Sequence, residues 1–324
     1  MEMIQWGIIG CGDVTEKKSG PAFNKVAHSR LVAVMRRDEE KARNYAERHH
    51  VPKWYSNAKE LIDDDEVNAI YVATPPSSHE EYTLLAMKAG KPVYVEKPMA
   101  TDFAAAQRMQ RASVETGCKL SVAHYRREQP LFRNIKSLVE SNEIGDIRLV
   151  NLRLFQCPRP SFVSQAGHNW RVDPTISGGG YFYDLAPHQL DLMLYFFGRP
   201  LTVSGTSVNQ AALYDVEDAV TGFMRFEKNI LFSGTWCFSV SPEDEQDQCE
   251  IIGSKGTIKF SIFQNPQIII DKAGGRDILP FEPLEHVQQP MIDAVVNFFL
   301  GENTNPCSAE EGVEVMRIIE TFTK

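Results

Sequence analysis

The sequence predicts an α/β chain of two domains: a doubly wound parallel sheet over residues 1–123, then an α+β domain with a mainly antiparallel open sheet over residues 124–324. Three observations carry that reading. Short apolar runs alternate with helical patterns of about 10–15 residues over the first ~120 positions, the texture of βαβ units. A glycine-rich turn follows the first run directly. Beyond Asp146 the texture changes to closely spaced strands of period two.

In order, residues 4–9 are a short apolar strand ending in glycines, and residues 31–35 (LVAVM) are a second, followed by a charged helical stretch over 38–49. Residues 69–73 (AIYVA) are a third, with a helix over 77–89 that Gly90 closes. Residues 93–95, β-branched and aromatic, suit a buried parallel strand. A helix over 101–116 ends at Gly117, and KLSVA (119–123) is a fifth strand. Later come IRLVNLRLF, LTVSGTSVN, AVTGFMRFE, ILFSGTWCFSV, CEIIGS, GTIKFSIF and QIIID as short strands, with GSKGT (253–257) a hairpin turn. One long helix over about 180–197 interrupts them, and two amphipathic helices, about 287–300 and 308–322, close the chain; the last can pack back on the first domain.

A chain of 324 residues is too long for one ordinary core, which agrees with two domains. Hydrophobic content of 43% with 24% charged residues is globular. A net charge of −9 and a pI near 5.5 argue against a nucleic-acid partner, which would need a basic face. No stretch approaches the roughly 20 apolar residues of a membrane span, and MEMIQWGIIGCG lacks the basic start of a signal peptide. Six cysteines stand singly, without CxxC or Cys/His spacing, so neither a disulfide framework nor a metal site is expected and a cytoplasmic location fits.

The first turn reads WGIIGCGDVTEKKSG. Residues 10–15 make a GxGxx(G) loop in which Thr15 stands where the third glycine usually sits. Gly10 allows the tight turn, and Gly12 lets the backbone approach a pyrophosphate that then rests on the helix start at Asp13 and Val14. Placed at the first strand-to-helix turn of a βαβ unit, the loop points to a dinucleotide-binding Rossmann domain. The second strand ends in VMRRDEEKA, where an acidic residue would read the ribose of NAD and an arginine the 2′-phosphate of NADP. Arg36 and Arg37 come first, and Asp38 one step later. Paired guanidiniums suit a phosphate dianion, so NADP is favoured and NAD remains possible.

In ATPPSSHEE (73–81) two prolines enforce an extended turn, after which Ser77 or Ser78 can cap the next helix. Thr74, Pro75 and His79 then stand at the carboxyl edge of the sheet, where ligands bind, and His79 can face the nicotinamide half. KPVYVEKPMATD (91–102) runs from an apolar strand into Glu96, Lys97 and Pro98. A lysine there is costly unless its charge is paired or put to use. Far along the chain, SGGGYFYDLAPHQLDLMLYFFG sets Asp184, His188 and Asp191 at i, i+4 and i+7, on one helical face. A carboxylate one turn before a histidine can orient the imidazole and raise its basicity, as a general acid/base requires; the same spacing also serves a simple helix salt link.

The glycine loop, ATPPSSH, VEKPMA, HYRR, NWRVDP and GGGYFYDLAPHQLDL, in this order and spacing, resemble the glucose–fructose oxidoreductase/inositol dehydrogenase/MocA family over essentially the whole chain. The resemblance implies an NAD(P)-dependent oxidoreductase. It implies that Lys97 contacts both the nicotinamide ribose and the reacting substrate oxygen, and that Asp184 and His188 are the acidic residue and the acid/base. It implies that Trp170 and Arg171 close over the nicotinamide end and that a cis peptide precedes Pro98. Two departures stand out: many members have asparagine near Tyr125, and EKKSGPAF after the glycine loop looks like a small insertion.

On this reading the Lys97 charge stabilises the alkoxide that forms as a hydroxyl loses hydride, or polarises a carbonyl that gains one. Glu96 and the proline turn fix its direction. His188 takes or returns the proton while Asp184 steadies the imidazolium. A small polyhydroxylated substrate, sugar-like or cyclitol, is expected to meet Lys97, Tyr125, Asp184 and His188, with Arg126, Arg159, Tyr181 and Tyr183 as further contacts. Two alternatives stay open: a non-catalytic dinucleotide-binding sensor or scaffold, and an offshoot reducing a dihydrodiol, tetrapyrrole or imine. A homodimer or homotetramer through the second domain's sheet is expected, because an uncovered sheet face is an aggregation liability.

Overall fold

A computed structural model describes residues 2–158 and 169–324. The chain forms two compact units, Met1–Gln129 with Leu284–Met316, and Pro130–Pro283 with Arg317–Lys324. The sequence reading divides the chain once, after residue 123; the structure has it leave the first unit after Gln129 and re-enter at Leu284.

The first unit opens with β1 (Ile4–Ile9), the short α1 (Asp13–Lys17) and a 3-10 turn (Gly20–Asn24). Then follow β2 (Ser29–Met35), α2 (Glu39–His49), β3 (Lys53–Tyr55), α3 (Ala58–Asp63), β4 (Ala69–Val72), α4 (His79–Lys88), β5 (Val93–Val95), α5 (Phe103–Thr116) and β6 (Leu120–Val122). All six strands pair in parallel, in the order β3-β2-β1-β4-β5-β6. The order reverses beside β1, which is where doubly wound sheets bind ligands. β4, β5 and β6 are buried at every residue, as strands covered on both faces must be.

In this unit Asp38 caps α2 by accepting from the Lys41 N–H, Asn57 caps α3 from Lys59 and Asp102 caps α5 from Ala105. The cap expected from Ser77 or Ser78 is absent. A 3-10 turn (Pro76–Ser78) leads into α4, and the Ser78 side chain makes no capping bond. β3 and α3 escaped the sequence reading because three and six residues are too few to show a period.

The second unit holds α6 (Pro130–Glu140), β7 (Ile147–Phe155), α7 (Pro174–Ser177), α8 (Tyr181–Phe197), β8 (Thr202–Val208), β9 (Ala219–Arg225), β10 (Leu231–Cys237), β11 (Gln246–Gly253), β12 (Gly256–Phe260), β13 (Gln267–Lys272) and β14 (Gly275–Pro280). Its sheet runs β14-β13-β12-β11-β7-β10-β9-β8, antiparallel except where β7 meets β10. α8 packs on one face through aromatic contacts: the Phe182 and Trp236 rings lie 5.0 Å apart, and those of Phe196 and Phe260 6.2 Å. By register, Leu149, Phe223, Leu231 and Ile278 share the opposite face, and each is exposed.

The chain closes with α9 (Gln289–Leu300) and α10 (Ala309–Thr323). α9 buries Met291, Ile292, Val295, Val296 and Phe299, and Phe299 stacks 5.5 Å from Trp6 of β1. The Val122 N–H donates to the Cys307 carbonyl, and Arg127, nearly fully buried, pairs with Glu311 at 2.6 Å. Among the described residues no helix is long and apolar enough to cross a membrane.

Candidate active site

In the first unit, the residues expected to bind a dinucleotide lie at the carboxyl ends of the parallel strands. The N–H groups of Gly10 and Cys11 both donate to the Met35 carbonyl at the end of β2, which pins the loop to the sheet. Gly10 has φ +96, and a Cβ there would stand 2.8 Å from both the backbone N and Cγ2 of Thr74. Only glycine fits. At Gly12 a Cβ would meet nothing nearer than the Gly10 carbonyl at 4.0 Å, so this side of the loop is open to a ligand. Gly12 has no side chain to cap α1, and Asp13 and Val14 form the helix's first turn beyond it.

Thr15, in the third-glycine place, is buried and donates its hydroxyl to the Gly12 carbonyl at 2.8 Å. Its own carbonyl accepts from the Tyr45 hydroxyl at 2.9 Å. Gly20 packs close against the same turn: a Cβ there would fall 2.2 Å from the Thr15 oxygen. Cys11, between the two loop glycines, is buried, and burial pushes its thiol up to about 11, so it stays protonated.

Arg36 directly follows β2, half-buried, and its Nη1 donates to the Cys11 carbonyl at 3.3 Å. Arg37 is exposed. Asp38 is committed elsewhere: it caps α2 and pairs with Lys41 Nζ at 2.9 Å, which lowers its carboxyl below the usual range. Thr74 and Pro75 are half-buried beyond β4. The Thr74 Oγ1 is buried, with no hydrogen-bond partner among the described residues. An open glycine edge beside an unclaimed hydroxyl fits a dinucleotide.

His79 corrects the expectation that it faces a cofactor. It is fully buried, with Nδ1 2.9 Å from the Pro98 carbonyl and Nε2 2.8 Å from that of Thr74, and burial lowers its pKa. It braces the two loops rather than lining a pocket. Glu96 is buried at the end of β5; half-buried Lys97 follows, joined to Pro98 by a cis peptide. The Lys97 N–H donates to Glu96 Oε2 at 3.1 Å. Tyr125 sits buried in a 3-10 turn (Tyr125–Glu128) after β6, with the Arg126 guanidinium 5.6 Å from its ring.

In the second unit, Asn169 starts the 3-10 turn Trp170–Val172, and its Oδ1 accepts from the Arg171 N–H at 3.2 Å. The Arg171 guanidinium stacks over Trp170 at 4.6 Å and its Nε donates to Asp184 Oδ2 at 3.1 Å. Trp170, Arg171 and Asp184 thus form one cluster. His188 lies one turn further along α8, buried, its ring edge-on to Phe263 at 5.8 Å. The Tyr181 hydroxyl accepts from Asn169 Nδ2 at 2.7 Å, and burial pushes that phenol up to about 12. The Tyr183 hydroxyl lies 3.3 Å from Thr323 Oγ1, against the end of α10. Arg159 lies outside the described residues.

Sequence reasoning missed Asp247 and Phe263. The Asp247 carboxylate accepts the backbone N–H groups of Ile262, Phe263 and Gln264 at 3.1, 2.6 and 2.9 Å, and so holds the ring that meets His188. No local signal marks this pair, because β11 and the 262–264 turn meet only through the sheet.

Residues 4–124 match the family described as "Oxidoreductase family, NAD-binding Rossmann fold", and residues 132–259 match the "GFO/IDH/MocA C-terminal domain". An oxidoreductase from Formosa agariphila is 45% identical over 321 residues, 98% of both chains. A 1,5-anhydro-D-fructose reductase from Ensifer adhaerens is 25% identical over 317 residues, 96% of this chain and 92% of its own. The crystal structure of an aldose-aldose oxidoreductase from Caulobacter crescentus, complexed with glycerol, superposes with a TM-score of 0.87 at 24% identity, over 99% of this chain and 96% of that one.

Proposed function

This chain belongs to the GFO/IDH/MocA family of NAD(P)-dependent oxidoreductases, and on that premise we propose that it transfers a hydride between NADP, in preference to NAD, and a hydroxyl or ketone carbon of a small sugar-like or cyclitol substrate. One observation carries the reading. The glycine loop after β1 and the Glu96–Lys97 pair after β5 share the carboxyl edge of one parallel sheet.

The dinucleotide, when bound, supplies or accepts the hydride. The open edge at Gly12 admits the pyrophosphate to the backbone. Arg36 and Arg37 are offered to a 2′-phosphate, while Asp38, tied up as a cap, competes little for a ribose hydroxyl. The Lys97 ammonium stabilises negative charge on the reacting oxygen. His188 holds and returns the hydroxyl proton, and Asp184, anchored by Arg171, favours the charged imidazole. The name of the Ensifer relative supports a sugar-like substrate, and single, scattered cysteines support a cytoplasmic setting.

The test is a titration of the purified protein with NADPH and NADH, with Arg36→Asp alongside. NADPH is expected to bind about tenfold or more tightly than NADH, and the variant to erase the difference, as loss of a charge-assisted phosphate contact would. A preference for NADH would overturn the reading of the two arginines. A reductase screen over ketoses and lactones follows, in which Lys97→Met should lower turnover by about 10²–10³. Binding of neither nucleotide would sink the enzyme reading at its first step.

A further inference from the structure

Beneath the end of β5 lies a buried polar cluster drawn from separate stretches of the first unit. The Glu96 carboxylate is 5% exposed, and its Oε1 accepts from the Tyr71 hydroxyl at 2.5 Å and from Gln288 Nε2 at 2.7 Å. Its Oε2 accepts the Lys97 N–H at 3.1 Å. Gln288 is fully buried, and its own Oε1 accepts from the Tyr94 hydroxyl at 3.3 Å. The Tyr71 hydroxyl also lies 3.2 Å from Ser19 Oγ, in the segment after the glycine loop.

A carboxylate out of water is costly unless donors meet its oxygens. Here two side-chain donors fix one oxygen and leave the other aimed at the Lys97 backbone. The Gln288 amide is itself oriented: turned over, it would set oxygen against oxygen at Glu96 and nitrogen against the Tyr94 donor. Tyr71 is held by its ring stacked 5.1 Å from Tyr94, its register partner on β5. The Glu96 side chain therefore has little freedom to turn, and the peptide it grips is the one that carries the lysine.

We propose that Gln288 and Tyr71 are positioning residues for Lys97, holding the Glu96 carboxylate in the orientation that fixes the Lys97 backbone. The inference rests on the reading of Lys97 as the group that meets the reacting oxygen. Gln288 lies 192 positions from Glu96 in the chain, so the return of the chain at Leu284 completes the support of the lysine.

The experiment uses Gln288→Leu and Tyr71→Phe, the second keeping the ring that stacks on Tyr94. Deuterium exchange of the Lys97 amide in the full-length protein is expected to quicken about tenfold in each, the effect of weakening one hydrogen bond to a charged group. With a substrate in hand, kcat should fall about tenfold while KM and the NADPH dissociation constant stay within about twofold. Unchanged exchange and unchanged kcat in Tyr71→Phe would overturn the proposal and leave the reading of Lys97 standing. Faster exchange in a protein that turns over no sugar-like substrate would uphold the positioning and overturn that reading instead.

Discussion

Glu16, on the short helix that follows the glycine loop, accepts two bonds from Arg48 at 2.7 and 2.8 Å and lies 2.8 Å from His49, both on α2. The Arg48 guanidinium holds its carboxyl well down, from 4.5 to about 2. Between those values the unfolded chain binds more protons at this site than the folded one, so the contribution is complete above about pH 4.5 and lost as pH falls towards 2. The side chain is one-third exposed, so water screens part of the effect. Glu16→Gln should flatten the fall of the urea midpoint between pH 4.5 and 2; an unchanged slope would mean that Arg48 does not hold this carboxylate in solution. Much of the candidate site is legible from residue identity alone: the glycines, Arg36, Lys97 and the Asp184–His188 spacing stand in local strings. His79 shows the limit. Its place in ATPPSSH is visible in the sequence, but that both ring nitrogens end on backbone carbonyls depends on the Pro98 loop, nineteen positions away.

Elements with a long repeating pattern were legible, and α8 and the strands β7 to β13 fell where period and spacing put them. α6 was missed although it buries Leu131, Phe132 and Ile135 on one face and opens on Pro130, where a proline suits a helix start. β14 was missed because its residues are almost all exposed and show no alternation. The sharpest element-level feature is a rung of three glycines, Gly205, Gly222 and Gly234, aligned across β8, β9 and β10. A Cβ at Gly222 would fall 2.2–2.4 Å from ring atoms of Phe322 near the end of α10. Gly205 and Gly222 are the seat for that ring, while a Cβ at Gly234 would meet Trp236 and Phe232 instead. Phe322→Ala should cost about 3–5 kcal/mol by urea unfolding, and Gly222→Ala about 1–3 kcal/mol through overpacking. In the double variant the small ring site accepts the new methyl, so the two losses should not add. Strict additivity would show that ring and rung do not meet.

At the scale of the whole molecule, the second unit's sheet leaves Leu149 (42% exposed), Phe223 (54%), Leu231 (50%) and Ile278 (53%) on one face. We propose that a second copy of this chain covers it, as a homodimer or homotetramer. Light scattering after gel filtration should then report an oligomer that Phe223→Glu with Leu231→Glu converts to monomer, because two desolvated carboxylates cannot be paired there; a wild-type monomer would refute it. The sequence by itself determined the longer strands and helices, the glycine loop and the strings that hold Lys97 and His188, since each rests on backbone preference and apolar period within a few residues. Only the tertiary structure decided that Gly20 packs against the Thr15 carbonyl, that both His79 ring nitrogens meet backbone carbonyls, and that Gln288 donates to the Glu96 carboxylate. Those roles depend on which buried donors and acceptors meet across long stretches of chain, and no local pattern records where a partner far along the chain will find its place.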